Sequence, residues 1–112
     1  MKRFVILAYA EPQVAHEMME QTPEDMEKGK QHWFDWKEKY KAQVVDIGSP
    51  LFNSVDLLPD GTTKHNDSQI NGYMIIDAET FEDAMSILKD SPLVPYMDGC
   101  KIEIHEGMIM EL

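Results

Sequence analysis

The hydrophobic pattern of this chain is strongest in residues 70 to 88, where an apolar run from Ile70 to Ile76 leads directly into an amphipathic segment. In an extended strand, Ile70, Met74 and Ile76 face one way and Tyr73 and Ile75 the other, so both faces are apolar. Residues 3 to 9 read the same way, with Phe4, Ile6 and Ala8 opposed to Val5, Leu7 and Tyr9. Strands apolar on both faces require cover on both faces. A chain of 112 residues carries enough helix for one side of a small sheet. A second copy of the chain is the expected cover for the other side, which predicts a homodimer.

Two helices separate the strands. Thr22-Pro23-Glu24-Asp25 is a start signal: a capping hydroxyl, Pro in the first turn, and Asp at the capping-box position. The helix is predicted from Pro23 to about Ala42. Met26, Trp33, Trp36 or Lys37, Tyr40 and Val44 form its inward stripe. Thr80-Phe81-Glu82-Asp83 caps a second helix with Phe81, Ala84, Met85 and Leu88 inward. Acid in the first turns and Lys in the last suit both macrodipoles. Residues 13 to 21 read as a short helix, with Val14 and Met18 inward, or as a loop.

Val44 to Gly48 is a short strand stopped by Gly48-Ser49-Pro50. Residues 51 to 58 continue extended, Pro59-Asp60-Gly61-Thr62 is a turn, and the polar residues 62 to 69 form an exposed hairpin tip or loop. Pro92 and Pro95 mark the loop after the second helix. Cys100 to Glu106 alternates, with Ile102 and Ile104 inward and Lys101, Glu103 and His105 outward, as a one-sided strand does. The apolar tail, residues 108 to 112, is expected to lie on the same chain or on its partner copy. The resulting order, β-α-β-(hairpin)-β-α-β, is the α+β, ferredoxin-like split βαβ arrangement in one domain spanning residues 1 to 112.

Charge narrows the partners. Lys plus Arg is 10 and Asp plus Glu is 21, a net −11. Nucleic acids and anionic membrane surfaces demand clustered cations, so neither is expected. No apolar run approaches membrane-spanning length. The run Phe4 to Ala10 is at the short limit of a signal-peptide core, lacks an A-x-A site after it, and reads as the first strand. The single cysteine, Cys100, excludes an internal disulfide, and a cytoplasmic location is the default.

His32-Trp33-Phe34-Asp35-Trp36, followed by Val45-Asp46-Ile47-Gly48-Ser49-Pro50-Leu51, makes one block. Asn71 to Ala84, then Ser91-Pro92, then Cys100 to His105, makes another. In this order and spacing the chain resembles the YCII-related domain family, including its DGPF-motif relatives. The resemblance implies a ferredoxin-like subunit that pairs into a dimeric α/β barrel, with a pocket between helix and sheet. It also implies an acid/base pair, a His on the first helix and an Asp just before the Pro after the second. Here His32 takes the first position; Ser91 directly precedes Pro92, and Asp90 lies one residue earlier. The Asp-Gly-Pro-Phe motif is absent.

His32 and Asp90 are therefore the candidate catalytic residues. An imidazole is suited to proton transfer near neutral pH. Tyr9, Trp36 and Tyr73 are the candidate ligand-contacting residues, with Trp33 and Tyr40 adding apolar wall. Against this stands a plain alternative: Trp33 and Tyr40 as core and His32 as a solvated flank. His16, Glu17 and Glu20 do not complete a zinc motif, His65-Asn66-Asp67 fits turn chemistry better than a cation loop, and Cys100 lacks an activating cation. No metal site is expected. No phosphate-cradling loop, dinucleotide fingerprint or nucleophile elbow occurs, so no cofactor is implied. Two functions follow: a cofactor-independent enzyme acting on a small aromatic or enolisable compound, or a non-catalytic dimeric module that binds a ligand or a protein.

Overall fold

In a computed structural model that describes residues 1–20, 22–93 and 98–110, leaving aside the side chains of residues 17–19, the apolar runs at both ends of the pattern become the central strands. β1 (Lys2–Ala10) and β5 (Ile70–Ala78) lie side by side, antiparallel, with Phe4 opposite Ile76 and Ile6 opposite Met74. β2 (Val44–Asp46) flanks β5, and β6 (Cys100–Gly107) flanks β1 with Ile6 opposite Ile104. The four-stranded order is β2-β5-β1-β6, all antiparallel. With α2 (Pro23–Lys39) after β1 and α3 (Phe81–Lys89) after β5, this is the α+β ferredoxin-like topology. Among the described residues, no helix is long and apolar enough to cross a membrane.

One sheet face carries the core. Phe4, Ile6, Met74, Ile76 and Ala78 meet Trp36 of α2 and Ala84, Ile87 and Leu88 of α3. The helices begin where the capping residues direct: Thr22 Oγ1 accepts the amide of Asp25, and Thr80 Oγ1 that of Asp83. α2 ends at Lys39, a few residues short of the predicted Ala42, because Tyr40 already leaves helical geometry as its C-cap. Its inward stripe is also narrower than predicted. Trp36 is buried and Trp33 and Tyr40 half-buried, whereas Met26, one turn from the free end, is exposed beyond the sheet's reach. In α3, Ile87 joins Ala84 and Leu88 in the core, while Met85 and Phe81 lie at its margin. The Phe81 ring nevertheless meets Phe4 edge-on at 5.0 Å.

The other face carries Val5, Leu7, Tyr9, Tyr73 and Ile75, each half-buried and none in contact with the core cluster. Charged groups frame it. Arg3 donates two hydrogen bonds to Asp77 (3.0 and 3.3 Å), and Glu103 lies between Lys101 and His105.

Between β2 and β5 the chain makes an excursion. Gly48 turns at φ 79°, where any Cβ would lie 1.6 Å from the Tyr73 carbonyl oxygen, so only glycine fits. Pro50 bridges to Gly72, and then β3 (Val55–Leu57) pairs with β4 (Thr63–His65) as a separate two-stranded ribbon. The predicted turn closes it: Leu58 donates to the Thr62 carbonyl, and Asp60 accepts from the Thr62 amide and hydroxyl. Residues 13 to 19 belong to a short helix, α1 (Pro12–Met19), with Val14 half-buried. Tail residues 108 to 110 are exposed. The side chain of Met18, and Gln21, Pro95, Glu111 and Leu112, lie outside the described residues.

Candidate functional site

The aromatics of α2 and its C-cap form a ladder because positions 33, 36 and 40 fall on one side of the helix. Trp33 meets Trp36 edge-on at 5.9 Å, and Trp36 meets Tyr40 at 5.8 Å. Trp36 is 2% exposed, and its indole N–H donates to the Ile87 carbonyl at 3.0 Å. Its polar atom is thus used within the protein, as a buried indole requires. Trp36 is a core residue that joins α2 to α3.

Asp90 is the C-cap of α3, the end where the helix dipole disfavours an anion. Two groups from the end of α2 offset this. Lys39 Nζ donates to Asp90 Oδ2 at 2.6 Å, and the Tyr40 hydroxyl donates to the same oxygen at 3.0 Å. The hydrogen bond from Lys39 does most to hold the Asp90 carboxyl below the ordinary carboxylate value, followed by the Tyr40 hydroxyl and the charge of Lys39. His32 adds the weakest pull in the same direction. Asp90 reciprocates by raising the Lys39 ammonium. His32 is exposed, within electrostatic reach of Asp90, and among the described residues no hydrogen bond joins the two.

A shallow cleft of about 280 Å³ opens beside this cluster, lined by Tyr40, Gln43, Ala78, Asp83, Ser86 and Ile87. Tyr40 therefore belongs to both the carboxylate cluster and the cleft. Ser91, next in sequence to Asp90, is buried. Its hydroxyl donates to the Leu88 carbonyl at 2.7 Å and accepts the Leu93 amide, which ties off the end of α3.

Tyr9 and Tyr73 lie elsewhere, on the open sheet face. The Tyr73 hydroxyl donates to Asp46 at 3.1 Å, and the Lys101 ammonium sits 4.7 Å from the centre of the Tyr9 ring. The five residues singled out from sequence thus occupy three places. His32 and Asp90 are on the helix side, Trp36 is in the core, and Tyr9 and Tyr73 are across the sheet. The space between helix and sheet is filled by side chains of the core.

Lys39 is the member of this cluster that the sequence did not mark. In the sequence it serves the α2 macrodipole, and its partner is 51 residues away. A second pairing was in view only as alternation. Glu103 Oε1 lies 2.8 Å from His105 Nε2, and that contact, ahead of Lys101, holds the Glu103 carboxyl below its usual range.

No family model matches the chain, and no curated protein matches it. Among solved structures the chain is similar to 5-chloro-2-hydroxyhydroquinone dehydrochlorinase from Burkholderia phenoliruptrix AC1100, in complex with 2,5-dihydroxybenzoquinone. The two share 16% sequence identity over 90% of each chain, with a TM-score of 0.48. A likeness at this level leaves the chemistry of this chain to its own residues.

Proposed function

We propose that the protein is a small-molecule enzyme of the YCII-like type that works without a cofactor. His32 and Asp90 supply acid/base chemistry to a small aromatic or enolisable compound held beside Tyr40, in a cytoplasmic homodimer of single-domain chains. The carrying observation is the Asp90 carboxylate. It is kept ionised at an unfavourable helix end by Lys39 and Tyr40, with the imidazole of His32 in electrostatic range. The resemblance of the two sequence blocks to the YCII-related family supports the same pair. The dimer rests on the open face, where Val5, Leu7 and Ile75 form an apolar centre within a charged frame, as interface cores do.

Hydroquinone and acetylacetone are suitable probes, one aromatic and one enolisable. Added to ¹⁵N-labelled protein, at least one should shift the amide signals of residues 32 to 40 and 90 to 91. His32→Ala and Asp90→Asn should each remove the response. Shifts confined to the face of Tyr9 and Tyr73, or none with either probe, would overturn the placement of the site.

A second reading has its own observation. His32 is exposed and makes no hydrogen bond to Asp90 among the described residues. That favours a non-catalytic dimeric module in which Lys39–Asp90 is a clasp between helices. Binding that survives His32→Ala would select it.

A further inference from the structure

The cleft beside Tyr40 carries a charge pattern that the acid/base pair does not use. At about 280 Å³ it lies just under the roughly 300–1,000 Å³ of drug-sized pockets, so it suits one small compound. Ala78 and Ile87 give it buried apolar surface, and Gln43 and Ser86 give it neutral polar groups. Its charged side chains are Glu79, just before α3, and Asp83, in the first turn of that helix. Both are exposed, and among the described residues neither makes an ion pair.

Among the described residues, no Lys or Arg lines the cleft. The cations on the elements around it are engaged elsewhere: Lys39 with Asp90 at 2.6 Å, Arg3 with Asp77 at 3.0 Å, and Lys2 with Glu106 at 3.2 Å. The Tyr40 hydroxyl gives its proton to Asp90, so to a ligand it can only be an acceptor. The amide end of α3, worth about half a charge, and the α-amino group of Met1, which also lines the cleft, offset part of the two carboxylates. A net charge of −11 adds negative potential at longer range. A carboxylate ligand entering here meets like charge and finds no Lys or Arg for a charge-assisted bond. A hydroxyl or ammonium group finds acceptors.

We infer that Glu79 and Asp83 set the charge selectivity of this cleft, so that its ligand is a small compound with hydroxyl or ammonium donors and no carboxylate. The inference rests on the site proposed above and narrows its substrate class. Hydroquinone, 4-hydroxybenzoate and 4-hydroxybenzylamine share one phenol, and the group opposite is neutral, anionic or cationic. Their dissociation constants are read from the amide shifts of residues 32 to 40, in wild type and in Glu79→Gln/Asp83→Asn. At 10 mM salt, where the screening length is ~30 Å, 4-hydroxybenzoate should bind at least about threefold more weakly than hydroquinone, and 4-hydroxybenzylamine more tightly. The spread should narrow in the double variant. It should also narrow in the wild type at 1 M salt, where the screening length is ~3 Å, and this arm needs no variant. Acetylacetone against acetoacetate repeats the comparison for an enolisable ligand. Wild-type constants that ignore ligand charge, or a spread unchanged in the double variant or at high salt, overturn the selectivity and leave the site. Absence of binding by every one of these compounds overturns the site and the selectivity with it.

Discussion

Trp36→Phe tests how α2 is held to the rest of the fold. Trp36 is 2% exposed and donates its indole N–H to the Ile87 carbonyl at 3.0 Å. Phenylalanine keeps an aromatic ring in the ladder but removes the donor. The Ile87 carbonyl is then buried without its side-chain partner, which costs about 1–3 kcal/mol. The smaller ring adds roughly 1 kcal/mol in lost burial and contact. The expected destabilisation is therefore about 2–4 kcal/mol, out of the roughly 5–15 kcal/mol typical of a domain. In urea, with a slope near 1–3 kcal/mol/M, the midpoint should fall by about one to two molar with the slope unchanged. Trp33 remains as the fluorescent reporter, and far-UV circular dichroism checks that the transition is shared. Phe34→Ser is the control, because Phe34 is 67% exposed, and it should stay within about 0.5 kcal/mol. A loss below about 0.5 kcal/mol for Trp36→Phe would refute the placement of this indole in the core.

Gly48→Ala should cost several kcal/mol, roughly 2–4, since it combines a positive φ with a Cβ placed against the Tyr73 carbonyl; a thermal midpoint equal to wild type would contradict the turn. Acid should erase the contribution of Asp90. Its folded pKa lies below the ordinary 3.8, so its stabilisation is present above that value and disappears as pH falls through the folded one. The urea midpoints of wild type and Asp90→Asn should therefore differ at pH 7 and draw together as pH falls below the ordinary carboxylate range; a constant gap would contradict the ion pair. With a net charge of −11, the protein should give no salt-dependent fluorescence-anisotropy change with single- or double-stranded DNA or RNA at low salt; a micromolar complex would contradict it.

The sequence reveals the sheet because residues 4 to 9 and 70 to 76 are short runs, apolar on both strand faces and rich in β-branched and aromatic residues, as central strands are, and the helix starts because Thr22 and Thr80 cap by local rules. The end of α2 was less legible. Propensity continues through Lys41 and Ala42, and it is the Tyr40 backbone turn toward β2 that stops the helix. Trp33 and Trp36 are equivalent in any periodicity, and only the approach of Ile87 makes Trp36 the buried one. The site was legible only as residue types. His32 and Asp90 are visible from their places beside the aromatic block and Pro92. What holds Asp90 is a contact between the ends of two helices, Lys39 and Tyr40 with the α3 C-cap, and no local pattern encodes it. The ribbon is legible as a turn and a polar tip, but the exposure of Val55 and Leu57 is not, because apolar residues in an extended segment carry no mark of whether another element covers them.

The proposed site requires that Asp90 and His32 act on one another within a cluster anchored by Lys39 and Tyr40. A ¹³C NMR titration of the Asp90 side-chain carboxyl, in wild type, Lys39→Met and His32→Ala, tests it most directly. The wild-type midpoint should lie below 3.8, rise in Lys39→Met, and rise by less in His32→Ala. An ordinary wild-type midpoint, or one indifferent to His32→Ala, would contradict it.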